Sequence, residues 1–211
     1  MKVTKYEHAT LSIEKAGSRL VIDPGKFLSA IDEQSNVVAV VITHQHDDHW
    51  TPERLQAILD KNPDAKILGP QGVADAASGF DVQVVKNGDV VDVEPFNLKF
   101  FGEKHALIHA SVPLIDNVGV LVDDTLYYGG DSYTVPDVPV DTLALPIGAP
   151  WLKIGEAIDY ALAVKPKRAF PVHDMTLSVV GKEMAGAHLA RMLATIDADY
   201  FVLQPSESID L

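Results

Sequence analysis

Cysteine is absent from this 211-residue chain, which removes disulfide scaffolds, thiolate zinc fingers, iron–sulfur clusters and cysteine nucleophiles together. Any metal would have to be held by His, Asp or Glu. Positive charge is scarce as well: 17 Lys and Arg stand against 30 Asp and Glu, a formal net charge of −13. A field of that sign repels a phosphate backbone and argues against general nucleic-acid binding. There is no run of like charges to serve as a polybasic membrane anchor. Long apolar runs are missing too. The purest, 37–42, is far too short to span a bilayer, and polar residues interrupt 1–16 where a signal peptide needs a continuous apolar stretch. The expectation is a soluble cytoplasmic protein.

The remaining composition, 47% hydrophobic and 22% charged, is that of a globular domain. A chain of this length buries roughly 70% of its unfolded surface and needs no covalent or metal staple to fold. One domain over 1–211 is expected. Short runs rich in β-branched residues alternate with turns, so strands are expected at 10–14, 19–22, 36–42, 65–68, 82–85, 89–93, 98–101, 118–122, 125–128, 142–145, 168–172 and 200–203. Helices fall between them. One starts at Thr51 as cap with Pro52 at its first position, repeats Leu55, Ile58 and Leu59 at helical spacing, and stops at Asn62-Pro63. Two others are expected at 155–164 and 182–194. The stretch 136–151 reads as a surface loop broken by one strand. The fold class is α/β or α+β, with sheets covered by helices.

Chemistry concentrates in Thr43-His44-Gln45-His46-Asp47-Asp48-His49-Trp50, which joins the most apolar strand to the capped helix. The whole chain has 8 His, so this density is not a product of composition. An aliphatic strand delivers the segment to the loop at its end, where sheet folds place ligands. His44 and His46, two apart in extended geometry, can share one metal. Asp48 and His49, on the turn into the helix, can reach a neighbouring one. Imidazole with carboxylate suits borderline cations such as Zn²⁺, whereas Ca²⁺ and Mg²⁺ want oxygen throughout.

His-x-His-x-Asp-His after an aliphatic strand resembles the signature of the metallo-β-lactamase superfamily. Further elements fall in that family's order: Asp23-Pro24-Gly25 after Val21-Ile22, a His in 105–109, Gly130-Asp131 after Leu126-Tyr127-Tyr128, and Pro171-Val172-His173. His8-Ala9-Thr10 and Pro150-Trp151 look like the compact subgroup of metal-dependent hydrolases that includes an ascorbate-6-phosphate lactonase. The resemblance implies a four-layer αββα sandwich with a site for two divalent metal ions at one edge, Zn²⁺ ahead of Mn²⁺, Fe²⁺ or Ni²⁺. By the same carry-over His44, His46 and a further His bind the first ion, Asp48, His49 and His173 the second, and Asp131 bridges them. His105 follows the strand 98–101 as the family's third ligand does, with His109 as the alternative or as a substrate-facing group.

Two divalent ions bring four positive charges, and Asp48, Asp131 and a bridging hydroxide leave a surplus of about one, which favours an anionic transition state. Asp48 is the catalytic candidate, because its second oxygen can orient the hydroxide. Tyr133, or whichever of His105 and His109 is not a ligand, could protonate the leaving group. His8, His109, Trp151 and Lys153 are substrate-binding candidates, the last two because an aromatic face with a cation suits an anionic small molecule. Asp23 is expected to organise loops by accepting hydrogen bonds. The function implied is hydrolysis of a small, anionic ester, lactone or amide. The competing readings are a phosphodiesterase or nuclease of the same superfamily and a non-catalytic metal-binding protein. A small-molecule substrate is the expected partner, with no nucleic acid and no membrane, and a homo-oligomer is left open.

Overall fold

Strands whose apolar residues point to both faces need a covering layer on each side. The computed structural model, which describes residues 1–30 and 35–211, meets that need with two sheets of seven strands. The first contains β1 (Lys2–Lys5), β2 (Leu11–Lys15), β3 (Ser18–Ile22), β4 (Val37–Val41), β5 (Lys66–Gly69) and β6 (Val82–Val84) in that spatial order, with β14 (Ser208–Asp210) outside β1. The second runs β7 (Val90–Val93), β8 (Phe96–Phe101), β9 (Gly119–Val122), β10 (Leu126–Tyr128), β11 (Thr142–Pro146), β12 (Arg168–Val172) and β13 (Asp199–Tyr200). Between them in sequence lie α1 (Pro52–Leu59), α2 (Gln71–Ala76), α3 (Ile154–Val164) and α4 (Val179–Leu193).

Residue alternation assigns the layers. Leu20, Ile22, Ala39 and Val41 of the first sheet share a buried cluster with Val120, Val122, Tyr128 and Phe170 of the second. Their strand neighbours face the other way: Val21, Val40 and Ile42 pack with Leu55 and Ile58 of α1 and Val73 of α2. Leu121, Tyr127 and Leu143 pack with Ala157 and Ala161 of α3 and Leu189 and Leu193 of α4. The order is therefore helix, sheet, sheet, helix. Fully buried residues such as Leu20 or Leu55 each contribute roughly 1.5–3 kcal/mol relative to exposure.

Several expectations shift. Helix α1 starts as expected, with the Arg54 amide donating to Thr51 Oγ1 and Pro52 in the first turn, but ends at Leu59. Asn62 explains the early stop: its side chain donates to the Ile58 carbonyl and accepts from the Val37 amide, tying the helix end to β4. Helix α4 begins earlier than expected, at Val179, capped by Ser178; the exposed Val179 and Val180 supply no apolar periodicity to reveal its first turn. Helix α2 is too short to show a period. Strands β1 and β14 pair with each other at the sheet edge, Lys2 opposite Asp210. Residues 142–148, placed in a surface loop apart from one strand, are buried throughout. No helix among the described residues is long and apolar enough to cross a membrane.

Strand direction prepares the site. β3 and β4 are parallel, as are β10, β11 and β12, and β8 runs the same way as β10 because both are antiparallel to β9. The ends of β3, β4, β8, β10, β11 and β12 thus each deliver a loop to one rim.

Candidate metal centre

Each of those loops contributes. Asp23 follows β3, the segment His44 to His49 follows β4, His105 follows β8, Asp131 follows β10, Gly148 follows β11 and His173 follows β12. Asp23 and His173 adopt left-handed backbone (φ 49° and 54°), as does His8 in the β1–β2 turn (φ 61°). Such conformations are uncommon outside glycine and mark positions where the surroundings dictate the backbone. Gly25 and Gly130 are needed for close approach: a Cβ at Gly25 would overlap the Asp48 carbonyl, and one at Gly130 would overlap the Asn117 side chain.

The loops bring donor atoms together in three overlapping sets, each within 4.8 Å: His44, His46 and His105; His8, Asp48, His49 and His173; and His44, His49 and Asp131. Six of the eight histidines are here; His109 and His188 are the two left out.

Hydrogen bonds on the far side of four of the rings fix which nitrogen faces inward. His49 Nδ1 donates to Asp23 Oδ2 at 2.7 Å, His105 Nδ1 to the Ala106 carbonyl at 2.5 Å and His173 Nδ1 to the Gly148 carbonyl at 2.6 Å. Thr43 Oγ1 donates to Asp23 Oδ2 at 2.7 Å and accepts from His44 Nδ1 at 3.1 Å. One buried carboxylate, Asp23, thereby orients His49 directly and His44 through Thr43. This is the outer shell that metal-binding imidazoles require.

The inward atoms pass a test of fit. His49 Nε2, His105 Nε2, His173 Nε2 and Asp131 Oδ1 are buried and have no hydrogen-bond partner. They face one another without forming hydrogen bonds: His49 Nε2 lies 3.2 Å from Asp131 Oδ1, and His173 Nε2 and His105 Nε2 lie 3.2 Å and 3.4 Å from Asp131 Oδ2. Imidazole lone pairs and carboxylate oxygens converging in this way suit a divalent cation.

Electrostatics agrees. Burial alone would raise the Asp131 carboxyl, yet His49, His173 and His105 hold it well below the usual carboxylate range. Burial opposes charge on His49 and His173 as well. Asp131 and Asp23 nevertheless raise His49 well above its ordinary value, and Asp131 and Asp48 push His173 up to about 9. His44 is held well below by burial and by His49.

His8 plays a different part. Its Nδ1 accepts the Met175 amide at 3.3 Å, so in the neutral ring Nε2 carries the proton and donates to Asp48 Oδ2 at 3.1 Å. Burial lowers its pKa, which favours that neutral form. A protonated Nε2 orients Asp48 and has no lone pair for a cation.

Of the other substrate-binding candidates, Trp151 reaches the cluster, and Lys153 and His109 do not join its donor sets. Trp151 is turned inward, 7% exposed, and donates its indole N–H to Asp131 Oδ2 at 2.8 Å. Lys153 lies on the surface, paired with Glu156 at 3.3 Å. His109 is exposed and engages Ser111. The Tyr133 hydroxyl donates to the Pro146 carbonyl and burial raises its pKa, so its proton is committed. Sequence reasoning missed Thr43, Gly148 and Asn117, whose side-chain oxygen accepts the Asp131 amide at 3.0 Å. Position beside His44 could have singled out Thr43; nothing local marks the other two.

The beta-lactamase superfamily domain model matches residues 2–173. Protein Rv0786c of Mycobacterium tuberculosis is 36% identical over 213 residues, covering 99% of this chain and 98% of that protein. A Nanoarchaeum equitans protein named UPF0173 metal-dependent hydrolase NEQ378 is 26% identical, with 100% of both chains covered. Among solved structures, the Ignicoccus hospitalis metallo hydrolase Igni18 shares the fold, with a TM-score of 0.74 at 20% identity, covering 99% of this chain and 97% of that one.

Proposed function

The chain belongs to the beta-lactamase superfamily, and from that premise we propose that it is a dinuclear metal-dependent hydrolase of a small ester, lactone or amide. The observation that carries the reading is the convergence on Asp131 of buried imidazole nitrogens from His49, His105 and His173, none of which makes a hydrogen bond. His44, His46 and His105 would hold one divalent cation, Asp48, His49 and His173 the other, and Asp131 would serve both. Zn²⁺ is the first choice for an imidazole and carboxylate donor set. Relatives named metal-dependent hydrolase support the reaction class.

When bound, such ions lower the pKa of water to about 7 and polarise a scissile carbonyl oxygen. The chain's own groups do the rest. The Asp48 side chain is 21% exposed against 4% for Asp131, so Asp48 is the carboxylate an incoming water meets. Its Oδ2 is held by His8 Nε2–H, leaving Oδ1 to accept a hydrogen bond from that water and orient it, while His173, His8 and His49 keep the carboxylate ionised. Asp131 is sealed from solvent and fixed by Trp151. The net charge of −13 disfavours a nuclease. The test is a screen of metal-loaded protein against esters, lactones, amides and phosphodiesters. Turnover of an acyl substrate that is lost on chelation supports the proposal; turnover confined to phosphodiesters refutes it.

A further inference from the structure

Residues 106–115, which leave the cluster at His105 and return at Asp116, contain no acidic or basic side chain apart from His109. The two ends are clamped. Lys104 and Asp116 form an isolated bridge and an ion pair at 2.6 Å, and the His105 amide donates to the Ile115 carbonyl at 3.1 Å. At its root, the Ala106 amide donates to the Asp131 carbonyl at 2.7 Å, so this closed loop is tied to the bridging residue's own backbone. Its apolar side chains are not packed away: Leu107 is 63% exposed, Leu114 52% and Val112 39%.

At the opposite end of the cluster stand two more exposed apolar side chains. The Phe27 ring meets His8 edge-on with centroids 4.8 Å apart, and the Met175 amide binds the same His8; the two residues are 36% and 42% exposed. The cluster is therefore flanked by apolar groups beside His105 and beside His8. The lysines next in sequence or contact to these groups are engaged by carboxylates: Lys26 by Asp47, Lys104 by Asp116 and Lys182 by Asp174. Scattered exposed apolar residues need no explanation, but a group that borders a buried donor cluster marks a ligand surface.

We propose that loop 106–115, with Phe27 and Met175, is the recognition surface for an uncharged, apolar substituent next to the bond that is cleaved, so that the substrate is a neutral apolar acyl compound rather than a phosphorylated or otherwise anionic one. The inference rests on the hydrolase reading and sharpens it. The occupant is a small molecule because the loop is tied at its root to Asp131 and Phe27 lies against His8, so both apolar groups start from residues of the reactive cluster. A second copy of a chain with net charge −13, or an anionic lipid surface, would meet like charge.

The test uses a series of straight-chain hydroxamates, from acetohydroxamate to octanohydroxamate, which chelate metal whether or not turnover occurs. Binding to the full Zn²⁺-loaded chain is followed by calorimetry, beside hydrolysis of 4-nitrophenyl esters of the same chain lengths. Burial of a methylene strengthens binding about threefold to fourfold, and that slope is expected over the first added carbons. The Leu107→Ser/Leu114→Ser variant, altered only at exposed positions, should lose the slope while keeping its metal content. A slope in the hydroxamate series without ester turnover would uphold the surface and reject the hydrolase reading. No chain-length dependence in the wild type overturns the proposal. So does a slope that survives in the variant, or a dimer in sedimentation that the variant abolishes, which would assign the patch to a second copy.

Discussion

Replacing Trp151 by Phe removes the side chain's one polar hydrogen and leaves a smaller aromatic ring in place. In the structure that hydrogen, on the indole nitrogen, is donated to Asp131 Oδ2 at 2.8 Å. The same oxygen lies 3.2 Å from His173 Nε2 and 3.4 Å from His105 Nε2, one donor from each proposed metal set. A neutral donor to a buried carboxylate contributes about 1.5–3 kcal/mol, and losing an outer-shell partner typically weakens metal binding about 10–100-fold. Trp151→Phe should therefore weaken binding of the pair of ions by that factor in a competitive chelator titration. The smaller ring also leaves a void, so thermal unfolding of the metal-free protein is needed to separate stability from affinity. Tyr133→Phe is the control: Tyr133 packs on Trp151 at 5.0 Å between centroids, but its hydroxyl goes to Pro146. It should change metal affinity little. Equal affinity in Trp151→Phe and wild type would refute the view that the indole positions the shared carboxylate.

Other outcomes follow from the same contacts. Asp131→Ala should abolish hydrolysis and weaken metal binding, since two cations lose their common anion; unchanged turnover would reduce Asp131 to a turn residue. His105→Ala should lower affinity by about tenfold or more in metal titrations, whereas His109→Ala should leave it intact, and the reverse pattern would make His109 the ligand. Metal affinity should rise with pH, because Asp131 and Asp48 keep His173 protonated up to about 9 and a ligand must shed its proton. Acid therefore favours the metal-free form. Titrations from pH 6 to 9 should show a gain of about tenfold per unit for each proton displaced, levelling above 9 for His173; a flat profile would contradict the protonation scheme.

The parts of the molecule legible in the sequence share a physical cause. Strands such as β4 and β12, buried on both faces, need continuous β-branched or apolar runs, and helix α1 carries its cap, its proline and its apolar stripe within a few residues. The donors from His44 to His49 are legible because one loop must place several of them at once. What was illegible depends on long-range pairing. Strand β14 acquires its identity from β1 across the length of the chain. The inward turn of Trp151 depends on Asp131, and the role of Asn117, just before β9, on the Asp131 amide just after β10. Lys153 and Trp151, adjacent enough in sequence to suggest an anion pocket, diverge because one is drawn to Asp131 and the other to Glu156 at the start of α3.

Two cations per chain is the claim on which the rest depends, and elemental analysis of the purified protein, repeated after reconstitution with Zn²⁺, Mn²⁺ and Fe²⁺, measures it directly. Close to two equivalents should be retained through dialysis in the wild type, and fewer in Asp131→Ala. Retention of none with any of the three metals would contradict the dinuclear centre, and a ceiling of one would leave only a single donor set at work.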